Sequence, residues 1–373
     1  MSRLASRLHI LPRALGQSLA TLGRRQAPKA PRRILVAHHL RLGDTLMLTA
    51  LLAKLRARHP QARLFMTCPS AMLGLYTTRP YGVEAIEFEP RNAATLAGLF
   101  RAARKGFDLA LVPGENRYAW LALAMRARWI VAFAGERPAY KNWPVDLLIP
   151  YPDRPAAWGD MAAGLADGEA PPAYRVADWS APPAAKFDFP PAPYAVLHVG
   201  AGTALRQWEG AKWRALAEWL ERQGVAPVWS GGAGEARIVS GIDPESRYRS
   251  YAGKLDLPQL WRLLAQAKLL VCPDTGVSHL GRIAGVPTVT LFGPGSSIVF
   301  GKGEFWRDSP YEAVTVEDFP CRDQRVLFRR EIAWVRRCGR SLAECPAPRC
   351  MQAIDESRVR ACAERLLAPA PGA

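Results

Sequence analysis

The chain has 373 residues, 49% hydrophobic and 22% charged, which is room for two ordinary domains with separate cores. No uninterrupted apolar run of about 18 residues is present, which excludes a membrane-spanning helix; the closest stretch, YAWLALAMRARWIVAFAG, is broken by Arg126 and Arg128. A formal net charge of +17 directs the protein toward polyanions: nucleic acid, anionic lipid or a phosphorylated substrate.

The charge is front-loaded. No acidic residue precedes Asp44, whereas Arg3, Arg7, Arg13, Arg24, Arg25, Lys29, Arg32 and Arg33 all do. Leu4, Leu8, Leu11, Leu15, Leu19 and Leu22 recur at helical spacing, which predicts a basic amphipathic helix able to lie on a membrane surface. Pro12 is expected to break or kink it. The bland alternative is a disordered basic tail. A continuous apolar core and a small-residue cleavage site are missing, so a secretory signal is not expected.

From residue 32 the chain alternates strands and helices. RRILVAHH (32–39) predicts a strand, LRLGD a loop and TLMLTALLAKLRARHP a helix. ARLFMTCP and VEAIEFEP follow as strands, TLAGLFRAARKG as a helix and FDLALVPG as a strand. Helix YAWLALAMRAR then leads to strand WIVAFAG. Such alternation predicts a parallel sheet covered on both faces. Residues 151–193 turn rich in Pro and Ala and read as one short helix plus a linker. The pattern restarts with YAVLHVG (194–200), helix AKWRALAEWLERQG, strand APVWSGG, helix PQLWRLLAQAK, strand LLVCP, a DTG loop opening a helix to Ala284, and strand TVTLFGP. MQAIDESRVRACAERLL closes the chain as a helix with Asp355 or Ser357 as its cap. The expected division is a basic extension (1–30), an α/β domain (31–175), a linker (176–193), a second α/β domain (194–350) and a terminal helix and tail (351–373). Two doubly wound sheets in tandem bind ligands at the carboxyl ends of their strands.

Four loops carry the candidate chemistry. In DTGVSH (274–279) a strand runs into a helix whose first N–H groups lack internal partners, which makes an anion site. Thr275 adds a hydroxyl, Gly276 allows close backbone approach, and Asp274 accepts from sugar hydroxyls or caps the helix. His279 donates to a phosphate or packs. In HVGAGTALRQW, Gly202 and Thr203 offer loop donors and Arg206 can fork two phosphate oxygens. The loop does not match G-x-G-x-x-G, so a dinucleotide-binding loop is not expected. In GGAGE, Glu235 is either a ribose-binding acid or a solvated glutamate at a helix start. In HLRLGDTLM, Asp44 is either a helix cap or a general base for a substrate hydroxyl, with His39 and Arg41 beside it. Seven cysteines, an odd number, predict free thiols in a reducing compartment. Cys321, Cys338, Cys345 and Cys350 cluster without a CxxC knuckle, which makes a metal site the minority reading. Nucleic-acid recognition has no motif behind it.

Taken together, these motifs resemble the heptosyltransferase family, glycosyltransferase family 9, over residues 33 to 368. The resemblance lies in R-I-L-x(6)-L-G-D-x-L-M, G-x-G-x(3)-R-x-W, D-T-G-x-x-H-L followed by AGVPTVTLFGP, and the closing CMQAID. It implies a GT-B architecture, two Rossmann-like doubly wound domains facing a central cleft. It also implies an inverting, cofactor-free and metal-independent transfer from a nucleotide-sugar donor, ADP-heptose, to an anionic glycolipid acceptor of the lipopolysaccharide core. The enzyme is then cytoplasmic, at the inner-membrane surface. By that resemblance Asp44 is the general base, Glu235 holds the nucleotide's ribose, and Asp274, Thr275, Gly276 and His279 grip the donor. Arg206 stands where the family usually has lysine, which keeps the charge and changes its reach. Arg41, Arg137 and Lys141 are candidates for acceptor docking from loop position alone. Residues 1–30 have no counterpart in typical members. The alternatives are a GT-B transferase using another nucleotide sugar for capsule or protein glycosylation, and a non-catalytic polyanion-binding relative.

Overall fold

The computed structural model describes residues 3–21, 23 and 25–368, the side chains of residues 3–5 excepted. Leu22 and Arg24, and the side chains of Arg3 and Leu4, therefore lie outside what is described here. The chain separates into two units. The first holds residues 1–172, 178–180 and 325–334; the second holds 173–177, 181–324 and 335–373.

The first unit opens with helix α1 (Arg3–Ala20). It runs through Pro12 instead of breaking there. Proline removes one bond to the carbonyl four residues back, and that residue, Leu8, is exposed, as is Pro12 itself. Ala14 is fully buried in the unit's core, so the segment is an integral helix and not a separate extension. Then follow β1 (Arg33–Val36), α2 (Leu42–Met47), α3 (Thr49–Arg58), β2 (Arg63–Cys68), β3 (Val83–Glu87), α4 (Leu96–Ala102), β4 (Leu109–Val112), α5 (Arg117–Ala124), β5 (Ile130–Phe133), β6 (Leu147–Ile149) and α6 (Trp158–Ala163). The expected single helix over 45–60 is two, separated at Leu48. All five pairings in the sheet are parallel, in the order β3-β2-β1-β4-β5-β6. β1, β4 and β5 are apolar runs buried on both faces, as helices above and below a parallel sheet require.

The second unit repeats that order. It contains β7 (Tyr194–His198), α7 (Gly210–Arg222), β8 (Ala226–Ser230), α8 (Ala236–Ile242), β9 (Arg249–Ser250), α9 (Leu257–Ala265), β10 (Leu269–Pro273), α10 (Gly276–Ala284), β11 (Thr288–Phe292) and β12 (Tyr311–Thr315). The sheet runs β12-β11-β10-β7-β8-β9. In both sheets the first strand is central and the chain builds outward from it in one direction, then the other. The switch points lie between β1 and β4 and between β7 and β10. After β12 a two-stranded hairpin, β13 (Val326–Leu327) and β14 (Arg330–Glu331), returns to the first unit, against the expectation that 194–350 stay together. α11 (Arg349–Gln352) and α12 (Glu356–Leu367) close the second unit. α12 buries Val359, Cys362 and Ala363 in its core. The terminal helix thus belongs to that domain.

Candidate functional site

In the second unit the loops after β7, β8 and β10 gather the predicted donor residues on one sheet edge. Thr275, not Asp274, caps α10: its hydroxyl accepts from the Val277 N–H at 3.1 Å. The Ser278 N–H donates to the Thr275 carbonyl at 3.2 Å, and the positive end of the dipole of this nine-residue helix faces the loop. Asp274 is turned into the interior. Its backbone carbonyl accepts from Arg206 Nη1 at 2.7 Å and its carboxylate Oδ2 lies 3.4 Å from the same nitrogen. Arg206 and Asp274 therefore join across the switch point between β7 and β10. Burial pushes the Asp274 carboxyl above the usual carboxylate range, with Arg206, Arg337 and Arg282 pulling the other way. Its Oδ2 is buried without a hydrogen bond and packs over Gly295, where a Cβ would come within 2.1 Å.

His279 is buried in the second turn of α10. Burial first, then the charges of Arg282 and Arg206, hold its pKa well below the usual histidine value, so the ring is neutral. Its Nδ1 meets the Arg282 guanidinium, which puts the ring proton on Nε2 and makes that nitrogen a donor. Arg282 is itself held by the Gly301 carbonyl at 2.6 Å and lies over the Trp306 and Tyr311 rings. The expected phosphate-binding histidine is thus an uncharged donor on an arginine-braced helix turn.

Glu235 stands just ahead of α8, without capping it. Its Oε2 accepts from the Gly232 N–H at 2.5 Å and lies against Gly200, where a Cβ would fall 1.8 Å from that oxygen. The half-buried carboxylate thus bridges the ends of β7 and β8. Gly202 is exposed with open space around it, and Thr203 accepts from Leu205 N–H at 3.4 Å to start the turn that carries Arg206. The glycine that permits close approach in this loop is Gly200, not Gly202.

In the first unit Asp44 is the third residue of α2, whose cap position is Arg41; it is a first-turn acid and not the cap. The residue is half-buried. Trp158 Nε1 donates to the Asp44 carbonyl at 3.3 Å and so pins this turn. Arg41 is exposed. His39 pairs with Glu89 at 3.1 Å. Burial pushes the Glu89 carboxyl up, but hydrogen bonds from the Ser70 N–H and His39 outweigh it and hold it below the usual range. Arg137 is exposed, whereas Lys141 is drawn inward. The Lys141 Nζ lies 2.8 Å from Glu136 and donates to the Arg137 carbonyl.

Sequence reasoning overlooked the group around Glu136. This carboxylate is fully buried and accepts from the Asn116 N–H at 2.6 Å, from Lys141, and from Arg330 on β14 at 3.2 Å. Arg330 also reaches the carbonyls of Ala134, Gly114 and Phe133. GEN and GER, each directly after a strand, were the only local signals for Asn116 and Glu136; nothing near Arg330 announces a partner about two hundred residues earlier. Arg282, one turn beyond His279, was readable from helical spacing. All seven cysteines are free thiols. Cys321, Cys338, Cys345 and Cys350 line one cavity of about 230 Å³, and among the described residues no group of three or more His, Cys, Asp or Glu is arranged to hold a metal ion.

Two Rossmann-like units, the second with an arginine, a half-buried glutamate and a helix start on one sheet edge, define the α/β class of GT-B sugar transferases. The whole chain superimposes on a family 9 glycosyl transferase of Veillonella parvula with a TM-score of 0.68 at 17% identity, covering 92% of this chain and 99% of that one. It does so on Escherichia coli ADP-heptose LPS heptosyltransferase II with a TM-score of 0.65 at 18% identity, covering 90% and 98%. Residues 97–315 match glycosyltransferase family 9 (heptosyltransferase), and the chain belongs to that family. It is 32% identical over 137 residues to lipopolysaccharide heptosyltransferase 1 of Pseudomonas aeruginosa, a match covering 35% of this chain and 36% of that relative, about a third of its length.

Proposed function

We propose that this protein is an inverting, metal-independent glycosyltransferase that moves a heptose-type sugar from ADP-heptose to an anionic acceptor of the lipopolysaccharide-core type. Asp44 takes the proton from the acceptor hydroxyl as that oxygen attacks the anomeric carbon. The bond from that carbon to the diphosphate oxygen breaks with its electron pair leaving on the diphosphate, so ADP departs and configuration inverts. The charge that builds on the diphosphate is met by Arg206 and the positive end of the α10 dipole. Asp274 acts as a positioning residue, fixing Arg206 through its carbonyl and carboxylate, while Glu235 accepts from the ribose hydroxyls and the His279 Nε2–H supports the donor. The absence of paired acids in the sequence of either loop fits a reaction run on these fixed charges. Arg41 and Arg137, both exposed, are the acceptor contacts in this reading, and Lys141 contributes through the cavity described below.

The observation that carries this reading is the Arg206–Asp274 link at the second sheet's switch point with Glu235 folded over Gly200 beside it. The similarity to a lipopolysaccharide heptosyltransferase supports the acceptor class. The test is a donor screen by thermal shift and transfer, since a ligand of the folded state raises its melting point. ADP and ADP-heptose should stabilise the protein and uridine sugars should not. Asp44→Asn should lower transfer by about 10²- to 10⁴-fold with unchanged ADP affinity. Stabilisation and turnover with a uridine sugar alone would replace the donor assignment, and full activity of Asp44→Asn would remove the base.

A further inference from the structure

Helix α1 has two apolar faces, and only one is used by the fold. Ser6, Ile10 and Ala14, four residues apart, face inward; Ala14 is fully buried and Ile10 packs on the same core beside α5. Leu8, Leu11, Leu15 and Leu19 form a second stripe at helical spacing, and they are 65%, 43%, 56% and 76% exposed. One packing stripe suffices for a helix on a globular domain. A second, aligned in water, marks a contact surface.

Beside this stripe lies a cavity of about 570 Å³. Its apolar wall includes Ile10 and Leu11 of α1, Phe88, and Tyr118 and Leu121 of α5, with Tyr140 closing one side. Arg7, Arg117, Lys141 and Arg329 line it too. Glu115 pairs with Arg117 and Arg329, and Glu136 pairs with Lys141 and Arg330. Five cations thus stand against two carboxylates, an excess of three positive charges. Tyr140 is 50% exposed and Trp143, three residues on, 74% exposed, the kind of aromatic that sits at a lipid headgroup boundary. Leu11 and Tyr140 share the cavity, so stripe and turn lie on the same side.

An occupant must combine an apolar part with negative charge. Nucleic acid leaves the leucines unexplained, a free phosphosugar leaves both leucines and tryptophan in water, and a second copy of this chain brings like charge to like. We infer that α1 and the turn at 139–143 form a docking face for an anionic bilayer, with the cavity taking the phosphate-bearing headgroup and adjoining acyl segment of one lipid. Lys141, proposed from loop position as an acceptor contact, acts here as part of that buried positive lining. The inference deepens the proposed function by naming the surface that meets the acceptor-bearing membrane; its physics does not depend on sugar transfer.

The test is co-sedimentation of the full chain with phosphatidylcholine vesicles and with vesicles of phosphatidylcholine and phosphatidylglycerol in equal parts. Binding to the anionic vesicles should be at least about tenfold tighter and weaken with salt. Leu11→Glu/Leu15→Glu, both exposed positions, should bind at least about tenfold more weakly, and Arg7→Glu and Trp143→Ala several-fold, with unchanged melting points and ADP affinity. Leu342→Glu, an exposed apolar position of the second unit, should bind as the natural chain does. Equal binding by the double leucine variant, no preference for the anionic vesicles, or full competition by glycerol phosphate would overturn the inference. Asp44→Asn separates the two proposals: it should keep vesicle binding and lose transfer, so vesicle binding without any donor turnover would leave the docking face standing and remove the function.

Discussion

Gly200→Ala is a small change with a specific consequence. The glycine has ordinary backbone geometry, so alanine adds no strain of its own, but its Cβ would stand 1.8 Å from Glu235 Oε2 and 2.5 Å from Cδ. The carboxylate must swing away and give up the Gly232 N–H. Because Glu235 is half-buried and can rehydrate, the cost in stability should be only about 1 kcal/mol. Ligand affinity should suffer more. A carboxylate withdrawn from ribose hydroxyls loses a charged hydrogen bond of about 1.5–3 kcal/mol, which weakens ADP binding by about 10- to 150-fold. Titration calorimetry with ADP on Gly200→Ala, Glu235→Ala and the double variant reads this directly. The singles should lose similar affinity and the double no more than either, because both act through one carboxylate. If Glu235→Ala binds ADP within about twofold of the natural chain, or the two losses add, Glu235 is not the ribose acid and the glycine matters for another reason.

Arg330→Met should destabilise the protein by about 3–5 kcal/mol in denaturant unfolding, since it strips one partner from a fully buried carboxylate; a loss under about 1 kcal/mol would show that Lys141 and Asn116 satisfy Glu136 alone. The same variant should open the 325–334 segment to proteolysis. Burial depresses the pKa of His38 to about 3 and of His198 to about 4, and lowers that of His279. The contribution of His38 and His198 is present above the unfolded value of about 6.5 and lost as pH falls toward the folded values, about 2 kcal/mol each by pH 5. Unfolding free energy that stays flat from pH 7.5 to 5 would contradict neutral burial. Thr275→Val should cost about 1 kcal/mol from the lost cap and weaken ADP binding; unchanged stability would mean the helix start is capped otherwise.

Much of the site was legible because its residues sit where a strand hands over to a loop or helix. DTG, GAGT, GGAGE and LGD each follow a readable apolar strand, and in the second unit the first three lie on one sheet edge. What the pattern does not carry is direction. Asp274 and Thr275 are adjacent candidates for one cap, and only backbone geometry assigns it to Thr275 and turns Asp274 onto Arg206. Gly200 and Gly202 look alike in sequence; the packed Glu235 carboxylate distinguishes them. His39 beside Asp44 also pairs with Glu89, on a different strand's loop, a contact no local pattern announces. Pro12 forecast a break that solvent exposure made unnecessary.

The order of strands and helices, the two cores and the loops that bear chemistry were set by local periodicity and by glycine and acid placement, since these act over a few residues. Which unit owns a segment was decided only in three dimensions. α1 joins the first core through Ser6, Ile10 and Ala14, and the 325–334 hairpin returns there because Arg330 finds Glu136, Asn116 and three carbonyls at or just beyond the ends of β4 and β5. Burying an arginine requires many partners at once, and no stretch of sequence contains them all.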